Sequence, residues 1–225
     1  MQNPEKFLLK CLHGSIFFRT FVHRNQKHKE IELIMKIDLN LKEGQKGDWK
    51  LSQFTVTEAE ATLHRLRCMI NNYPERAITA GTYWRLTKSG YIYMSNTPAE
   101  IHDHTQFINN ASGNVLIAGL GLGMVVQALL DKGTCEHITV VELSQDVIDL
   151  VGPSYNDPRV EIVCCDIFKF KPKMHYDYAW FDIWPDISGD NFPQMKKLHR
   201  KFAAHVSNRD SWCYKECRKR HKAVL

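Results

Sequence analysis

Four short apolar runs, separated by segments of mixed polarity, dominate the second half of the chain. They cover residues 114–118, 137–141, 160–165 and 176–181. The runs do not alternate between apolar and polar residues, which is typical of strands that are buried on both faces of a sheet. Helical spacing over residues 124–132 and 144–151 places helices between the first three runs. This order predicts an α/β fold with a mostly parallel sheet that helices cover on both faces.

Ahead of these runs, the chain has the pattern of a smaller α+β unit. A helix is predicted over residues 57–71, with Thr57 and Glu60 as its capping box. Two β-rich runs, residues 77–87 and 91–94, are separated by Lys88-Ser89-Gly90 and predict a hairpin.

Helix caps and polar loops mark the joints between these elements. Thr97, Pro98 and Glu100 predict the start of a helix that leads up to the first buried run, with Glu100 completing a capping box. The polar, glycine-containing stretch 42–48 predicts a loop. Residues 1–21 predict an amphipathic helix or strand.

The length of the chain limits the sheet. Of the 225 residues, 44 follow the fourth buried run, fewer than a helix, a strand and a closing hairpin usually take. We therefore expect a sheet shortened at its C-terminal end, after its fourth or fifth strand, or one that the N-terminal hairpin helps to cover.

The composition is that of an ordinary globular protein. Hydrophobic residues make up 44% of the chain and charged residues 24%, which excludes a disordered or fibrous chain. No apolar stretch approaches the roughly 18 residues of a membrane span, and the N-terminus lacks the apolar centre of a signal peptide. Seven cysteines, an odd number without regular spacing, favour a reducing compartment. A cytoplasmic location is therefore expected.

A glycine-rich turn joins the first buried run to the helix that follows it. Gly119, Gly121 and Gly123 let the backbone turn sharply and approach a ligand without a Cβ atom in the way. Such a turn is a weak signal when it stands alone. Its context strengthens it, because acidic residues follow each of the next three runs.

These acids are Glu142, Asp166 and Asp182. The carboxyl ends of parallel strands line the crevice in which open α/β sheets bind ligands, so the three acids are expected to face one ligand. Glu142 can accept hydrogen bonds from both hydroxyls of a ribose, and Asp166 from an adenine amino group. Any one of the three could instead cap the turn after its strand.

The spacing of the glycines argues against a dinucleotide. The dinucleotide fingerprint is G-x-G-x-x-G, whereas here Met124 stands at the sixth position and the pattern is G-x-G-x-G. The turn also has no lysine of a phosphate-binding loop. A row of acids suits the cationic sulfonium of S-adenosyl-L-methionine (AdoMet), which carries no phosphate.

The same segments resemble the class I AdoMet-dependent methyltransferase superfamily, and within it the spermidine-synthase-like branch. The resemblance covers about residues 77–190 and rests on VLIAGLGLG, ITVVELSQDVIDL, DPRVEIVCCDIF and YDYAWFDIW, with the hairpin and TPAEIHDH resembling the small β-unit and helix of that branch. It implies a Rossmann-like methyltransferase fold with AdoMet as cofactor. The cofactor-binding residues that it implies are Gly119, Leu120, Gly121, Gly123, Glu142, Leu143, Asp166 and Ile167.

Pattern and resemblance together divide the chain into three parts. Residues 1–95 are predicted as an N-terminal α+β unit with a β-hairpin, 96–190 as the AdoMet-binding core, and 191–225 as a basic helical tail that packs on the core. The tail holds the positive charge, because residues 196–222 contain ten Lys and Arg and two acids, a net charge of +8. With +5 in total, the rest of the chain sums to about −3.

The tail also suggests a partner. Trp212 and Tyr214 lie among its Lys and Arg residues, and nucleic-acid binding needs such a cationic and stacking surface. A solvated helix is the simpler interpretation, so nucleic acid is a possible partner that we do not favour. No membrane partner is expected, and a homodimer is possible.

The resemblance does not fix the reaction. Aminopropyltransferases of the branch carry an Asp inside the glycine loop, where this chain has Leu122. They also carry a D-S/T-x-D run after the fourth strand, where this chain reads Asp182-Ile183-Trp184-Pro185-Asp186. Methyl transfer to an unknown acceptor is therefore favoured over aminopropyl transfer. AdoMet hydrolysis or lyase cleavage, and a non-catalytic binding module that works through the basic tail, stay open.

The candidate catalytic residues lie beside this loop. Asp182 is predicted to act as a base or to orient the substrate, and Asp103 and His104 to line the substrate side of the site. Trp184 and Asp186 are predicted to contact the substrate, although Trp184 could equally cover the edge of the sheet.

Metal binding is not expected. The spacing of Cys213, Cys217 and His221 would align these residues along one helix face, but a fourth ligand is not evident.

Overall fold

Two β-sheets organise the part of the chain that this computed structural model describes, residues 37–72 and 74–224. The first sheet is antiparallel, in the order β1-β2-β3-β4. Its strands are β1 (Gly44–Lys46), β2 (Trp49–Val56), β3 (Gly81–Lys88) and β4 (Tyr91–Ser95). The element predicted over residues 1–21 lies outside the described residues. Of the helices within the described residues, none is long and apolar enough to cross a membrane.

The first two strands correct a prediction. Residues 42–48, expected to form a loop, contain β1 and a tight turn, and Lys46 pairs with Trp49 across that turn. Gly47 adopts a φ of +50°, which the turn requires and which glycine adopts without strain. The sequence of β2, WKLSQFTV, alternates too irregularly to be recognised as a strand, yet its register with β3 is continuous from Trp49 to Val56.

The first helix begins where its cap predicts. Helix α1 (Glu58–Ile70) follows Thr57, and the capping box forms because Glu60 N–H donates to Thr57 Oγ1 at 3.3 Å and Thr57 N–H donates to Glu60 Oε2 at 2.8 Å. A 3-10 turn (Pro74–Arg76) then leads to β3. The predicted hairpin is confirmed as β3 and β4.

Helix α2 (Pro98–Asn110) begins and ends at the predicted residues, but its predicted capping box is absent. Thr97 makes no side-chain cap, so the expected capping box does not form. Instead, the Glu100 carboxylate accepts hydrogen bonds from the Ser95 N–H at 3.0 Å and from the Ser95 hydroxyl at 2.7 Å. This contact ties the start of α2 to the end of β4.

The second sheet has five parallel strands in the order β7-β6-β5-β8-β9. Its elements are β5 (Gly113–Ala118), α3 (Met124–Lys132), β6 (Cys135–Glu142), α4 (Gln145–Val151), a 3-10 turn (Gly152–Tyr155), β7 (Val160–Cys164), β8 (Tyr176–Phe181), α5 (Asn191–Lys201), β9 (Val206–Ser211) and α6 (Tyr214–Val224). The predicted α/β, Rossmann-like fold with a mostly parallel, C-terminally shortened sheet and a preceding α+β unit is confirmed.

The fifth strand, β9, lies inside the segment that was predicted to be helical. It pairs in parallel with β8, from Tyr176 opposite Val206 to Phe181 opposite Ser211. Its sequence, VSNRDS, is polar because β9 lies at the edge of the sheet, so it shows no apolar run. The division of the chain into three domains stays a prediction.

The strand order determines where a ligand fits. From β5 the chain proceeds to β6 and β7 on one side, and then crosses to β8 and β9 on the other. A crevice opens at the carboxyl ends of the strands where this order reverses, between β5 and β8. Beneath it, Phe181, Met195, Leu198 and Phe202 form the buried core between the sheet and α5.

Candidate functional site

The glycine turn lies at the carboxyl end of β5, directly beside the end of β8. Gly119 N–H donates to Val141 O on β6 at 2.9 Å, and Asp182 N–H donates to Ala118 O at 2.9 Å. A Cβ atom at Gly119, whose φ is +96°, would lie 2.1 Å from Asp182 O. Any side chain at this position would therefore separate the turn from the loop that carries Asp182.

The Glu142 carboxylate is held against the glycine turn. Its Oε2 accepts a hydrogen bond from Leu120 N–H at 2.8 Å, and its Oε1 accepts one from Ser144 N–H at 2.8 Å. An ionised carboxylate offers about four acceptor positions, so both oxygens keep capacity for a ligand's hydroxyl groups. Leu143 follows, with 72% of its surface exposed, and provides an apolar surface at the same edge of the sheet.

Asp166 and Ile167 contribute different atoms to this edge. Asp166 Oδ1 accepts a hydrogen bond from Phe168 N–H at 2.8 Å, which orients the carboxylate after β7. The Ile167 side chain is 4% exposed and packs in the core, while its carbonyl oxygen accepts a hydrogen bond from Lys201 Nζ at 2.8 Å. A ligand contact from position 167 would therefore come from the backbone.

Asp182 faces a buried histidine. His104 Nε2 lies 3.6 Å from Asp182 Oδ2, and their side chains are 1% and 19% exposed. His104 Nδ1 is buried and has no hydrogen-bond partner among the described residues. Burial lowers the pKa of His104 to about 4. Burial, followed by the charges of Glu100 and Asp103, raises the pKa of Asp182 to about 8.

Asp103 is committed to an ion pair. Arg76 Nη1 and Nη2 donate to its two carboxylate oxygens at 2.7 and 3.0 Å. This bidentate contact raises the pKa of Arg76. The Cys213 thiol lies 3.9 Å from Asp103 Oδ2. Burial, followed by the charge of Asp103, raises the pKa of this thiol. Asp103 therefore borders the site as half of an ion pair.

The two predicted substrate residues have different surroundings. Trp184 is 7% exposed, belongs to the core cluster and donates from Nε1 to Gln194 Oε1 at 3.2 Å. Asp186 is exposed, and its backbone oxygen accepts a hydrogen bond from Asn191 Nδ2 at 2.8 Å. The packing of Trp184 is that of a side chain covering the end of the sheet. Substrate contact by either residue stays a prediction.

Several residues that shape the site were missed in the sequence. Arg76, Met94 and Tyr155 reach it through contacts that no local pattern indicates, and Glu100 acts on it through its charge. Glu100 was recognised only as a helix cap. Its position one turn before Asp103 and His104 was the signal that it could share their surroundings.

The C-terminal residues of interest are engaged in packing. Tyr214 stacks on His199, with ring centroids 4.9 Å apart, and Cys217 is fully buried. Within the described residues, no group of three or more His, Cys, Asp or Glu side chains could hold a metal ion. Nucleic-acid binding by the basic tail stays a prediction.

No protein-family profile matches the chain. It is similar to the malonyl-[acyl-carrier protein] O-methyltransferase of Priestia megaterium, at 31% identity over 101 residues, or 42% of this chain and 34% of that protein. For the enzyme of the same name from Acetivibrio thermocellus, the identity is 26% over 83 residues, or 34% of this chain and 28% of that protein. The chain thus spans about a third of the length of these curated relatives.

Solved structures resemble parts of the chain. The match to the spermidine synthase of Thermotoga maritima covers 84% of this chain and 66% of the synthase chain, with 16% identity and a TM-score of 0.46. The match to the DhpI–SAH complex covers 48% of this chain and 51% of the DhpI chain, with 21% identity and a TM-score of 0.39. The match to the N-methyltransferase NodS from Bradyrhizobium japonicum covers 49% of this chain and 64% of the NodS chain, with 18% identity and a TM-score of 0.40.

Proposed function

We propose that this protein is an AdoMet-dependent methyltransferase whose acceptor is not yet identified. The observation that carries the proposal is the Glu142 carboxylate, which the N–H groups of Leu120 and Ser144 hold against the glycine turn. These two oriented acceptor oxygens lie at the carboxyl end of β6, beside the glycine turn, where a ribose would bind. The partial similarity to two curated methyltransferases supports the proposal.

The residues at the crevice fit AdoMet in charge and in polarity. Glu142 would hold the ribose hydroxyls, Leu143 would cover one face of the adenine, and Asp166 would accept from its amino group. Asp182 adds a carboxyl group at the end of β8, and a cation bound beside it would favour its ionised form. AdoMet supplies a methyl group on a positively charged sulfur, and the acceptor atom must be placed about 3–3.5 Å from that carbon.

Asp182 is the proposed base for an acceptor that carries a proton. Its raised pKa, about 8, makes its carboxylate a stronger base than an ordinary aspartate near neutral pH. A cation bound beside it would lower that pKa and increase the ionised fraction. The neutral His104 ring and the Arg76–Asp103 pair would orient Asp182 and form the acceptor side of the site.

Aminopropyl transfer is less well supported. Leu122 stands where the aminopropyltransferases of the resembling branch carry an acid, and its side chain is fully buried. This side chain offers no carboxylate to a polyamine, and an acid placed in the same apolar surroundings would be costly to ionise.

The first test is calorimetric titration of the purified protein. AdoMet and S-adenosylhomocysteine should bind, decarboxylated AdoMet should bind less well, and Asp166→Ala should weaken AdoMet binding. Absence of binding at millimolar AdoMet would remove the proposal. Transfer of a radiolabelled methyl group to a panel of acceptors would then identify the substrate. The panel would begin with malonyl-acyl carrier protein, which is named for both relatives.

A further inference from the structure

The backbone N–H and C=O groups of Leu122, in the middle of the glycine turn, both bond to residues outside the turn. Leu122 N–H donates to Met94 Sδ at 3.3 Å. Leu122 O accepts a hydrogen bond from the Tyr155 hydroxyl at 2.8 Å, in a buried environment. Met94 belongs to β4 of the antiparallel sheet, and Tyr155 ends the 3-10 turn after α4. We call these two contacts the Leu122 clamp.

The glycines on either side of Leu122 make room for this clamp. A Cβ atom at Gly121 would lie 2.3 Å from Met94 Sδ, and one at Gly123 would lie 2.0 Å from Tyr155 Cε2. Both distances are far shorter than non-bonded atoms tolerate. Both glycines also have positive φ angles, +53° and +70°. Their lack of a side chain therefore serves contacts within the protein, in addition to any approach by a ligand.

The phenol of Tyr155 is suited to a permanent structural role. Its side chain is 4% exposed, and burial raises its pKa, so the hydroxyl keeps its proton and remains a donor. The Leu122 side chain is fully buried, which anchors the same residue on the side of the core. The Leu122 peptide is therefore fixed at its nitrogen, its oxygen and its side chain.

We propose that Met94 and Tyr155 are positioning residues that hold the glycine turn in the shape that binds the adenosyl ligand. This inference rests on the proposed function and deepens it. Leu120, whose N–H group meets Glu142, lies two residues before Leu122 in the same turn. A turn ordered in advance binds its ligand without the loss of conformational entropy that a mobile turn would incur.

Tyr155→Phe tests the clamp by removing one hydroxyl group. The matched control is Tyr176→Phe, which removes a buried hydroxyl that donates to Thr139 Oγ1 at 3.2 Å from the amino end of β8. We expect the melting temperature to fall to a similar extent in both variants. The Kd for S-adenosylhomocysteine should rise about threefold to tenfold in Tyr155→Phe and should not change in Tyr176→Phe. This factor corresponds to the net contribution of the one buried hydrogen bond that Tyr155→Phe removes from the glycine turn.

Met94→Leu tests the other side and keeps the proposal falsifiable if Tyr155→Phe does not fold. It replaces the thioether at nearly constant volume, and Met195→Leu makes the same change in the core beneath α5. Met94→Leu should weaken ligand binding and Met195→Leu should not. The proposal is overturned if the wild type binds S-adenosylhomocysteine and both Tyr155→Phe and Met94→Leu bind it with the affinity of the wild type. No binding by the wild type would instead count against the proposed function.

Discussion

His104 Nε2 and Asp182 Oδ2 lie 3.6 Å apart, and burial moves the pKa values of the two side chains in opposite directions, to about 4 and about 8. At neutral pH the imidazole is therefore uncharged and the carboxyl group holds its proton. The two side chains form no ion pair in this state. Their distance also exceeds that of a good hydrogen bond. A cation bound nearby would favour the ionised form of Asp182.

The first prediction concerns the pH dependence of catalysis. Because Asp182 must lose a proton to act as the proposed base, kcat/KM for AdoMet, measured with an identified acceptor, should rise with pH and level off above about 8. The apparent pKa of kcat should be lower than that of kcat/KM, since bound AdoMet adds a positive charge. Asp182→Asn should lower kcat by about 100-fold or more and remove the pH dependence.

Two comparisons make this prediction specific to Asp182. Asp190→Asn changes an exposed acid in the following loop and should leave the pH profile of the wild type intact. Asp182→Asn should still bind S-adenosylhomocysteine, because the proposed ribose contact lies at Glu142. Full turnover in Asp182→Asn would remove Asp182 from the catalytic assignment.

The second prediction concerns stability in acid. The pKa of His104 is about 4 in the folded protein and near 6.5 in the unfolded chain. Asp182, whose pKa is raised to about 8, gains stability as the pH falls through the same range. At His104, between about pH 4 and 6.5, the unfolded chain binds a proton that the folded protein does not, so the contribution of His104 to stability is lost as the pH falls from about 6.5 to 4. The loss should be on the order of 1–3 kcal/mol.

Urea unfolding of the wild type and of His104→Gln at pH 7 and pH 4.5 isolates this loss. His104→Gln lacks the titrating group, so its free energy of unfolding should increase relative to that of the wild type as the pH falls from 7 to 4.5. His205→Gln changes an exposed histidine and should behave like the wild type. An unchanged pH difference in His104→Gln would show that other groups cause the acid sensitivity.

The sequence was sufficient for those parts of the site that follow from strand order. Glu142, Asp166 and Asp182 follow apolar runs, and parallel strands bring their carboxyl ends to one edge, so three separated positions could be placed together. The caps of α1 and the β3–β4 hairpin were similarly readable, because their signals lie within a few residues of each other.

Edge strands and long-range contacts could not be predicted in this way. The strands β1 and β9 are short or polar, because sheet edges remain solvated, and they lack an apolar run. The partners of the Leu122 clamp lie 28 and 33 residues away in sequence, and Arg76 lies 27 residues from Asp103. Such contacts exist only after the chain has folded, and a single sequence contains no signal for them.

The third prediction concerns Glu142. Glu142→Gln keeps the shape of the side chain but removes its charge and one of its acceptor oxygens, while Leu120 N–H and Ser144 N–H both still need an acceptor. The Kd for AdoMet should rise about tenfold to 100-fold, which corresponds to hydrogen bonds to a charged group. Glu136→Gln changes an exposed acid near the amino end of β6, is the matched control and should bind like the wild type. Calorimetric titration of both variants decides, and equal affinities would exclude Glu142 from the cofactor site.

The last prediction concerns the Arg76–Asp103 pair, which joins the 3-10 turn to α2. The Asp103 side chain is 9% exposed, so Arg76→Met leaves a nearly buried carboxylate without its bidentate partner. This should lower the free energy of unfolding by about 1–3 kcal/mol, less than for a fully buried pair because the Arg76 side chain is 35% exposed.

Double variants separate the ion pair from the loss of a long side chain. Adding Asp103→Asn to Arg76→Met should recover part of the loss, because the stranded charge is gone. The pair between Lys46 and Asp149, at 3.2 Å, is the matched control, since its side chains are 53% and 36% exposed. Lys46→Met should leave the free energy of unfolding almost unchanged, because solvent screens this pair. Strictly additive effects of Arg76→Met and Asp103→Asn in urea unfolding would show that the contact contributes no coupling energy.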